Sequence, residues 1–105
     1  MIRIIDGKRY NTDTATNVVC WNNGLSALDH NSIDESLYQT SKGSWFIWGE
    51  GGANSKYSEV LEGNSIHCAG NRIVPLTPNA AQSWLEEHSM TDELEEYFSD
   101  GIEDA

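Results

Sequence analysis

Several features are scarce in this chain of 105 residues, and their scarcity excludes whole classes of protein. No apolar run approaches the ~20 residues that a membrane-spanning helix requires. The opening segment, MIRIIDGKRY, lacks the apolar stretch and the small-residue cleavage site of a signal peptide. We therefore expect a single domain over residues 1–105, located in the cytoplasm and making no contact with a membrane.

Cysteine and histidine are too few and too poorly spaced to predict a metal site. Cys20 and Cys68 do not make a disulfide framework, and each is typical of a small buried side chain. A zinc ion would need about four ligands, and no C-x2-C or H-x3-H spacing occurs among the cysteines, His30, His67 and His88. We expect no metal and no cofactor, with Cys20, His67 and Cys68 left open as candidate ligands.

Catalytic signatures are missing as well. The chain has no GxSxG motif, no dinucleotide-binding fingerprint and no metalloprotease motif. The segment GEGGANSKY, residues 49–57, falls short of a phosphate-binding loop because Lys56 follows Ser55 rather than Gly, and Glu50 would repel an anion. The segment is typical of a glycine-rich chain reversal. We therefore do not expect an enzyme.

Positive charge is scarce and unevenly placed. Six Lys and Arg face 17 Asp and Glu, which gives a net charge of −11. Residues 1–85 hold eight acids and all six bases, whereas residues 86–105 hold nine acids and no base. A nucleic-acid duplex would be repelled by such a surface and would require a basic patch, so we expect no direct nucleic-acid binding.

Two hairpins are predicted from turn residues that lie between β-prone runs. Asp6-Gly7 separates two short runs near the start of the chain. Ser41-Lys42-Gly43 joins residues 37–40 to residues 44–48, and we call this second unit the aromatic hairpin. Both alternating sets of side chains in residues 44–48 are large and apolar, so we expect this strand to be covered on both faces.

The rest of the body predicts a helix, a loop, an edge strand and several turns. Residues 12–22 have apolar residues at helical spacing, and residues 25–35 predict a loop or a single helical turn. Residues 72–77 predict a strand, which Pro75 places at the edge of a sheet or at the end of the strand. Four residues are typical of turns: Gly63, Asn64, Gly70 and Asn71.

Two consecutive helices are predicted at the end of the chain. Thr77-Pro78 supplies a cap and a proline at the first helical position, and the helix should pack through Trp84 and Leu85. His88 should be a surface group at the end of this helix. The second helix and its tail cover about residues 90–105. Its apolar face comprises Met90, Leu94, Tyr97, Phe98 and Ile102.

Together these elements predict an α+β fold: a small antiparallel sheet of three to four strands, with helices on one face and two consecutive C-terminal helices. The protein should be a monomer or a dimer, and a dimer would use the edge strand near Pro75 or the aromatic hairpin. Much of the core should come from Trp21, Phe46, Ile73, Leu76, Trp84, Leu85, Leu94 and Phe98.

The acidic C-terminal helix admits three interpretations. Its carboxylates could serve solubility, although charges spread over the body would do so equally well. They could bind a divalent cation, although carboxylates on a helix cannot wrap an ion as a loop does. They could also meet the basic groove of a partner protein, and that is the interpretation we expect. The partner-binding residues would then be Glu93, Glu95, Glu96, Asp100 and Glu103.

Aromatic and glycine-rich segments provide an alternative surface. A small-molecule or peptide-binding module could use the aromatic hairpin and the GEGG loop, with Trp48, Glu50, Lys56 and Tyr57 as its residues. Tyr97 on the acidic helix could be a central anchor for a partner, but its position on the apolar face favours a core role.

Three blocks of sequence carry a resemblance: IIDGKRYNTDTAT (residues 4–16), LYQTSKGSWFIWGEGGANSKYSE (37–59) and RIVPLTPNAAQSWLEEH (72–88), followed by the acidic GIEDA end. They cover about half of the chain. With them the protein resembles a group of small acidic proteins carried by bacterial phages, prophages and conjugative elements. The segment from Asn22-Asn23 to Asn31 departs from that group. The group has no assigned chemistry, so the resemblance implies no catalytic residue.

The resemblance implies that the gene is carried by a phage or another mobile element. Small acidic proteins encoded by such elements often inhibit host defence. We therefore expect a stoichiometric inhibitor of a host defence nuclease complex, similar to anti-CRISPR proteins, in the cytoplasm of the bacterial host. Its partner would be a host defence protein, with a CRISPR effector such as Cas9 or a type I complex as the leading class. The acidic C-terminal helix would occupy a basic surface of that partner in place of nucleic acid.

Overall fold

The computed structural model describes residues 1–61 and 66–105, and within them strands precede two C-terminal helices. The strands are β1 (Ile2–Ile5), β2 (Lys8–Asn11), β3 (Thr16–Asn22), β4 (Ile33–Gln39), β5 (Trp45–Gly51), β6 (Glu59–Val60), β7 (His67–Cys68) and β8 (Gly70–Leu76). The helices are α1 (Pro78–Glu87) and α2 (Thr91–Phe98), and the 3-10 turn Ser99–Gly101 follows α2. The predicted α+β class with consecutive C-terminal helices is confirmed.

A four-stranded antiparallel sheet, ordered β3-β4-β5-β8, forms the centre of the molecule. The short pairs β1-β2 and β6-β7 are separate from it. The predicted size of three to four strands is therefore confirmed. Pro75 lies opposite Phe46 in β8, which is an edge strand of this sheet, as its missing N–H predicts.

Both predicted hairpins are present. Asp6 and Gly7 have positive φ angles of 51° and 76°, as the mirror-image turn of a two-residue hairpin requires. In the aromatic hairpin Gly43 has φ 87°, and the β4-β5 ladder runs from Gln39–Trp45 to Ile33–Gly51. The strands are longer than predicted, because the segments expected to be loops before and after the hairpin contribute residues 33–35 and 49–51.

The predicted helix over residues 12–22 is wrong, because Thr16–Asn22 is strand β3. Its β-branched and aromatic residues suit a strand, and a bulge between Asn17 and Val19 breaks the alternation that would have revealed one. The turn expected at Gly70-Asn71 is also wrong, since both residues belong to β8. The turn expected at Gly63-Asn64 lies outside the described residues.

The helices cover one face of the sheet. Leu37, Trp45 and Ile47 point from β4 and β5 toward Ala81, Trp84 and Leu85 of α1, and all six side chains are buried. The helix begins as predicted, because the Thr77 Oγ1 accepts a hydrogen bond from the Ala80 N–H at 3.1 Å. Among the described residues no helix is long and apolar enough to cross a membrane.

The opposite face is covered by the β1-β2 hairpin. Tyr10 meets the ring of Phe46 edge-on, with the ring centroids 5.5 Å apart, and Tyr38 stacks on Phe46 at 5.1 Å. The predicted covering of both faces of β5 is confirmed by burial of Trp45, Phe46 and Ile47. The molecule therefore has three layers: helices, sheet and the β1-β2 hairpin.

The predicted core is largely confirmed. Phe46, Ile73, Trp84 and Leu85 are buried. Four further predicted residues are partly buried and pack against the helix-side core: Trp21, Leu76, Leu94 and Phe98. Ile102 departs from the prediction, because α2 ends at Phe98 and the Ile102 side chain is exposed beyond it.

Candidate functional site

The most prominent surface feature is a set of exposed carboxylates on the two helices and the tail, which we call the acidic surface. It includes the half-buried Glu93 and the exposed residues Glu86, Glu87, Asp92, Glu95, Glu96, Asp100, Glu103 and Asp104. Neither helix has a basic residue in its last turn. Among residues 1–61 and 66–105, the only salt-bridge contacts within 4.0 Å involve Glu35, so no base neutralises the acidic surface.

The structure separates the five predicted partner-binding residues into two groups. Glu93, Glu95 and Glu96 lie on α2, where Glu93 is half-buried and the other two are exposed. Asp100 lies in the 3-10 turn and Glu103 in the tail, so the predicted continuation of the α-helix through both is wrong. The α-helix ends at Phe98, whose φ of −131° and ψ of 21° lie outside helical geometry.

Packing of α2 on the sheet explains why its carboxylates face outward. Tyr97 meets Trp45 edge-on at 5.4 Å between ring centroids, and Phe98 stacks on the same ring at 5.2 Å. Met90 and Leu94 join the same core. Because Tyr97 is engaged with Trp45, it has the core role that its position favoured. The acidic residues of the helix are left on its other sides.

A second polar feature lies beneath the helices, around the Glu35 carboxylate, which is 4% exposed. The Tyr57 hydroxyl donates a hydrogen bond to Glu35 Oε2, and the Trp84 Nε1–H donates one to Oε1 at 3.1 Å. The Lys56 ammonium lies 2.9 Å from Oε2, and the Lys56 side chain is 58% exposed. We call Glu35, Lys56, Tyr57 and Trp84 the glutamate cluster.

The glutamate cluster shifts the pKa values of two of its members, Glu35 and Tyr57. Burial acts to raise the pKa of Glu35, but hydrogen bonds from Tyr57, Lys56 and Trp84, with the Lys56 charge, outweigh it and hold the pKa below its ordinary value of 4.5. Burial, the hydrogen bond to Glu35 and the charge of Glu35 raise the pKa of Tyr57 above its ordinary 10.0. The cluster thus holds a charged carboxylate beside a neutral phenol.

His88 belongs to the surroundings of this cluster, and the prediction that it is a surface group is wrong. Its side chain is 11% exposed, and its Nε2 lies 4.0 Å from Glu35 Oε1. The ring stacks on Trp21 at 4.1 Å and meets Trp84 edge-on at 4.7 Å. His88 is the C-cap of α1, and Ser89 after it has a positive φ of 57°.

The alternative surface of Trp48, Glu50, Lys56 and Tyr57 is divided between two faces of the sheet. Tyr57 is buried on the helix side, where its ring occupies the space that a Cβ at Gly49 would need. Lys56 is engaged with Glu35 on the same side. Trp48 packs against the opposite cluster of Tyr10, Phe46 and Ile73, and Glu50 follows it two positions later on the same face. The four residues do not form one surface.

The candidate metal ligands are not brought together. Cys20 lies on the edge strand β3, where the Ser36 hydroxyl donates to its sulfur at 3.2 Å. His67 and Cys68 form β7, which pairs with β6 rather than with the central sheet. Among residues 1–61 and 66–105, no three His, Cys, Asp or Glu side chains are grouped in a way that could hold a metal ion.

Sequence reasoning missed the glutamate cluster, although one signal was present. Ile33, Glu35 and Leu37 occupy alternate positions of β4, and Leu37 faces the helices. A carboxylate at an inward position between two apolar residues indicates a buried acid that needs partners. Its partners come from residues 56, 57 and 84, and no local spacing connects them to Glu35.

Comparison of the chain with known proteins found no matching family model, no matching characterised protein and no matching solved structure. The resemblance to proteins of phages and conjugative elements therefore stays a prediction. The function has to be inferred from the surfaces of the molecule itself.

Proposed function

We propose that this protein is a stoichiometric inhibitor that binds a basic, nucleic-acid-handling surface of a host defence nuclease complex through its acidic surface. The observation that carries the proposal is the concentration of exposed carboxylates on α1, α2 and the tail, with no base within 4.0 Å of any of them in the described residues. The sequence resemblance makes a CRISPR effector, Cas9 or a type I complex, the leading partner class.

The charge pattern suits a partner that normally holds nucleic acid. Lysine and arginine side chains that bind phosphates can bind carboxylates with the same charge-assisted hydrogen bonds. Packing of Tyr97 and Phe98 on Trp45 holds α2 against the rigid sheet, so the carboxylates of the helix are presented with little loss of freedom on binding. Association should be fast and strongly weakened by salt.

A pair of charge-reversed variants tests the proposal. The first carries Glu93→Lys, Glu96→Lys and Asp100→Lys on the acidic surface. The second carries Asp13→Lys, Glu50→Lys and Glu59→Lys, which are exposed acids outside it. Both variants change the net charge by the same amount, so a difference between them reports the location of the charge. Binding to purified, guide-loaded CRISPR effectors is measured by biolayer interferometry at low and high salt, beside their DNA cleavage.

We expect the unmodified protein to bind an effector at low salt and to inhibit its cleavage. The acidic-surface variant should bind at least about 100-fold more weakly, since like charges placed in contact cost several kcal/mol. The control variant should retain its binding at high protein concentration and moderate salt. An equal loss of affinity in both variants would show that net charge, and not the acidic surface, causes the binding. If the unmodified protein binds none of the effectors, this partner class is rejected.

A further inference from the structure

Three of the six basic residues line one groove, although Lys42 is distant in the sequence from Lys8 and Arg9. Lys8 and Arg9 lie on β2, and Lys42 lies in the turn of the aromatic hairpin. The groove between these two elements has a volume of about 560 Å³. Contact of Tyr10 with Phe46, at 5.5 Å between ring centroids, holds the two elements together.

The groove contains no acid, in a chain that has 17 of them. In the described part of the chain, no carboxylate lies within 4.0 Å of Lys8, Arg9 or Lys42. All three bases are exposed. The lining therefore carries three bases that no carboxylate pairs with, although the exposed acids Asp6 and Asp13 are sequence neighbours of the lining residues Gly7 and Thr14.

The polar lining complements the bases. Thr14, Thr40 and Ser44 contribute hydroxyl or backbone groups to the same walls. The Ser44 N–H donates to Thr40 Oγ1 at 3.1 Å, and the Thr40 N–H donates to the Ser44 carbonyl at 2.8 Å, so the turn that carries Lys42 is fixed. A volume of about 560 Å³ lies within the usual range for small-ligand sites.

We infer that this groove is a binding site for a phosphorylated small molecule of about nucleotide size, with Lys8, Arg9 and Lys42 holding its phosphate groups. Three positive charges match the two or three negative charges of a phosphate monoester or a diphosphate. The planar guanidinium of Arg9 can bind two phosphate oxygens at once, and the two ammonium groups can bind the others. The hydroxyl groups add donors that a tetrahedral oxyanion can use.

A small ligand fits better than a nucleic-acid strand. The β1-β2 hairpin and the helices lie on opposite faces of the sheet, and each layer adds about 10 Å of separation. At physiological salt the repulsion from the helices is screened over about 8 Å, so a ligand confined to the groove meets mainly its bases. A strand that continues beyond the groove would pass over a molecule of net charge −11.

Titration of the full chain with four probes tests the inference: pyrophosphate, ADP, the dicarboxylate succinate and a single-stranded oligothymidylate. Binding is followed by amide shifts in two-dimensional NMR spectra at physiological ionic strength, where the charge of the helices is screened. We expect pyrophosphate or ADP to shift the amides of Lys8, Arg9 and Lys42, and succinate to leave them unchanged. Tighter binding of ADP would identify a nucleotide site, and equal binding would identify a site for the polyphosphate group alone; both support the inference.

Matched variants locate the site. Lys42→Gln and Arg9→Gln should each weaken phosphate binding by about 10-fold or more, as loss of a charge-assisted hydrogen bond predicts. Arg3→Gln removes the same charge from the neighbouring strand β1, outside the groove lining, and should change affinity by no more than about 2-fold. Absence of phosphate binding, an equal effect of Arg3→Gln, or tighter binding of the oligonucleotide would overturn the inference.

Discussion

At the scale of single residues, Glu35 is a buried carboxylate whose partners all come from other parts of the chain. A buried carboxylate costs free energy unless it is paired, and the fold provides three donors from residues far away in the sequence. The inward position of Glu35 follows from the alternation of β4, which the sequence displays. The identity of its partners could not be predicted, because Lys56, Tyr57 and Trp84 reach it by tertiary packing alone.

Substitution of Glu35 should lower the stability of the fold. In Glu35→Gln an amide nitrogen replaces one carboxylate oxygen, so a donor faces the Tyr57 or Trp84 donor and the Lys56 charge loses its partner. We expect the free energy of unfolding at neutral pH to fall by about 1–3 kcal/mol. Urea unfolding of both proteins at several pH values measures this difference.

The pH dependence of that difference has a defined sign. The pKa of Glu35 is lower in the folded protein than its ordinary value of 4.5, so folding favours the ionised form. The contribution of the Glu35 charge to the free energy of unfolding is therefore complete above about pH 4.5. It is lost as the pH falls through the pKa of Glu35 in the folded protein. Glu50→Gln, at an exposed position of β5, should differ from the unmodified protein by less than about 0.5 kcal/mol. A Glu35→Gln difference that grows in acid would contradict this account.

At the scale of elements, local signals predicted some strands and helices and failed at others. Turn residues identified both hairpins, and the Thr77-Pro78 pair identified the start of α1. Strand β3 was missed because Ala15, Val18 and Val19 have the spacing of one apolar helical face, and the bulge between Asn17 and Val19 lets both valines pack against the same core, which breaks the alternation of a regular strand. The end of β5 was also missed, because its glycines are typical of a turn. In the structure Gly49 and Gly51 leave space for the side chains of Tyr57 and Ser55.

The cap of α1 is an element-level contact with a measurable effect. Thr77→Ala removes the oxygen that accepts from the Ala80 N–H, and should destabilise the protein by about 1 kcal/mol. Thr91→Ala is the matched control, because α2 begins after Met90 and has no side-chain cap hydrogen bond. Thermal unfolding of the two variants should show a lower midpoint for Thr77→Ala. Equal midpoints would contradict a stabilising cap at Thr77.

At the scale of the whole molecule, the chain separates its charges between layers. The helices and tail contain nine acids and no base, as a count along the sequence already predicts. The opposite groove could not be predicted in this way, because Lys42 is more than 30 positions from Lys8 and Arg9 and comes near them only when the hairpins pack. Sequence statistics therefore locate the acidic surface, whereas the basic groove requires the fold.

Concentrated negative charge should make the stability of the molecule depend on salt. Glu93, Glu96 and Asp100 lie in one short region with further carboxylates and no neighbouring base among the described residues, so they repel one another in the folded state. Salt screens this repulsion and should raise the free energy of unfolding by about 1 kcal/mol between low and physiological ionic strength. Urea unfolding in sodium chloride measures the increase.

A neutralised variant separates this effect from general salt effects on folding. Glu93→Gln, Glu96→Gln and Asp100→Asn together keep the shape of the side chains while removing three charges, so the protein should be more stable at low salt and its salt dependence should become weaker. Asp13→Asn, Glu50→Gln and Glu59→Gln remove the same charge from other exposed positions and should leave most of the salt dependence in place. If the two triple variants respond alike, the repulsion belongs to the net charge of −11 and not to the acidic surface.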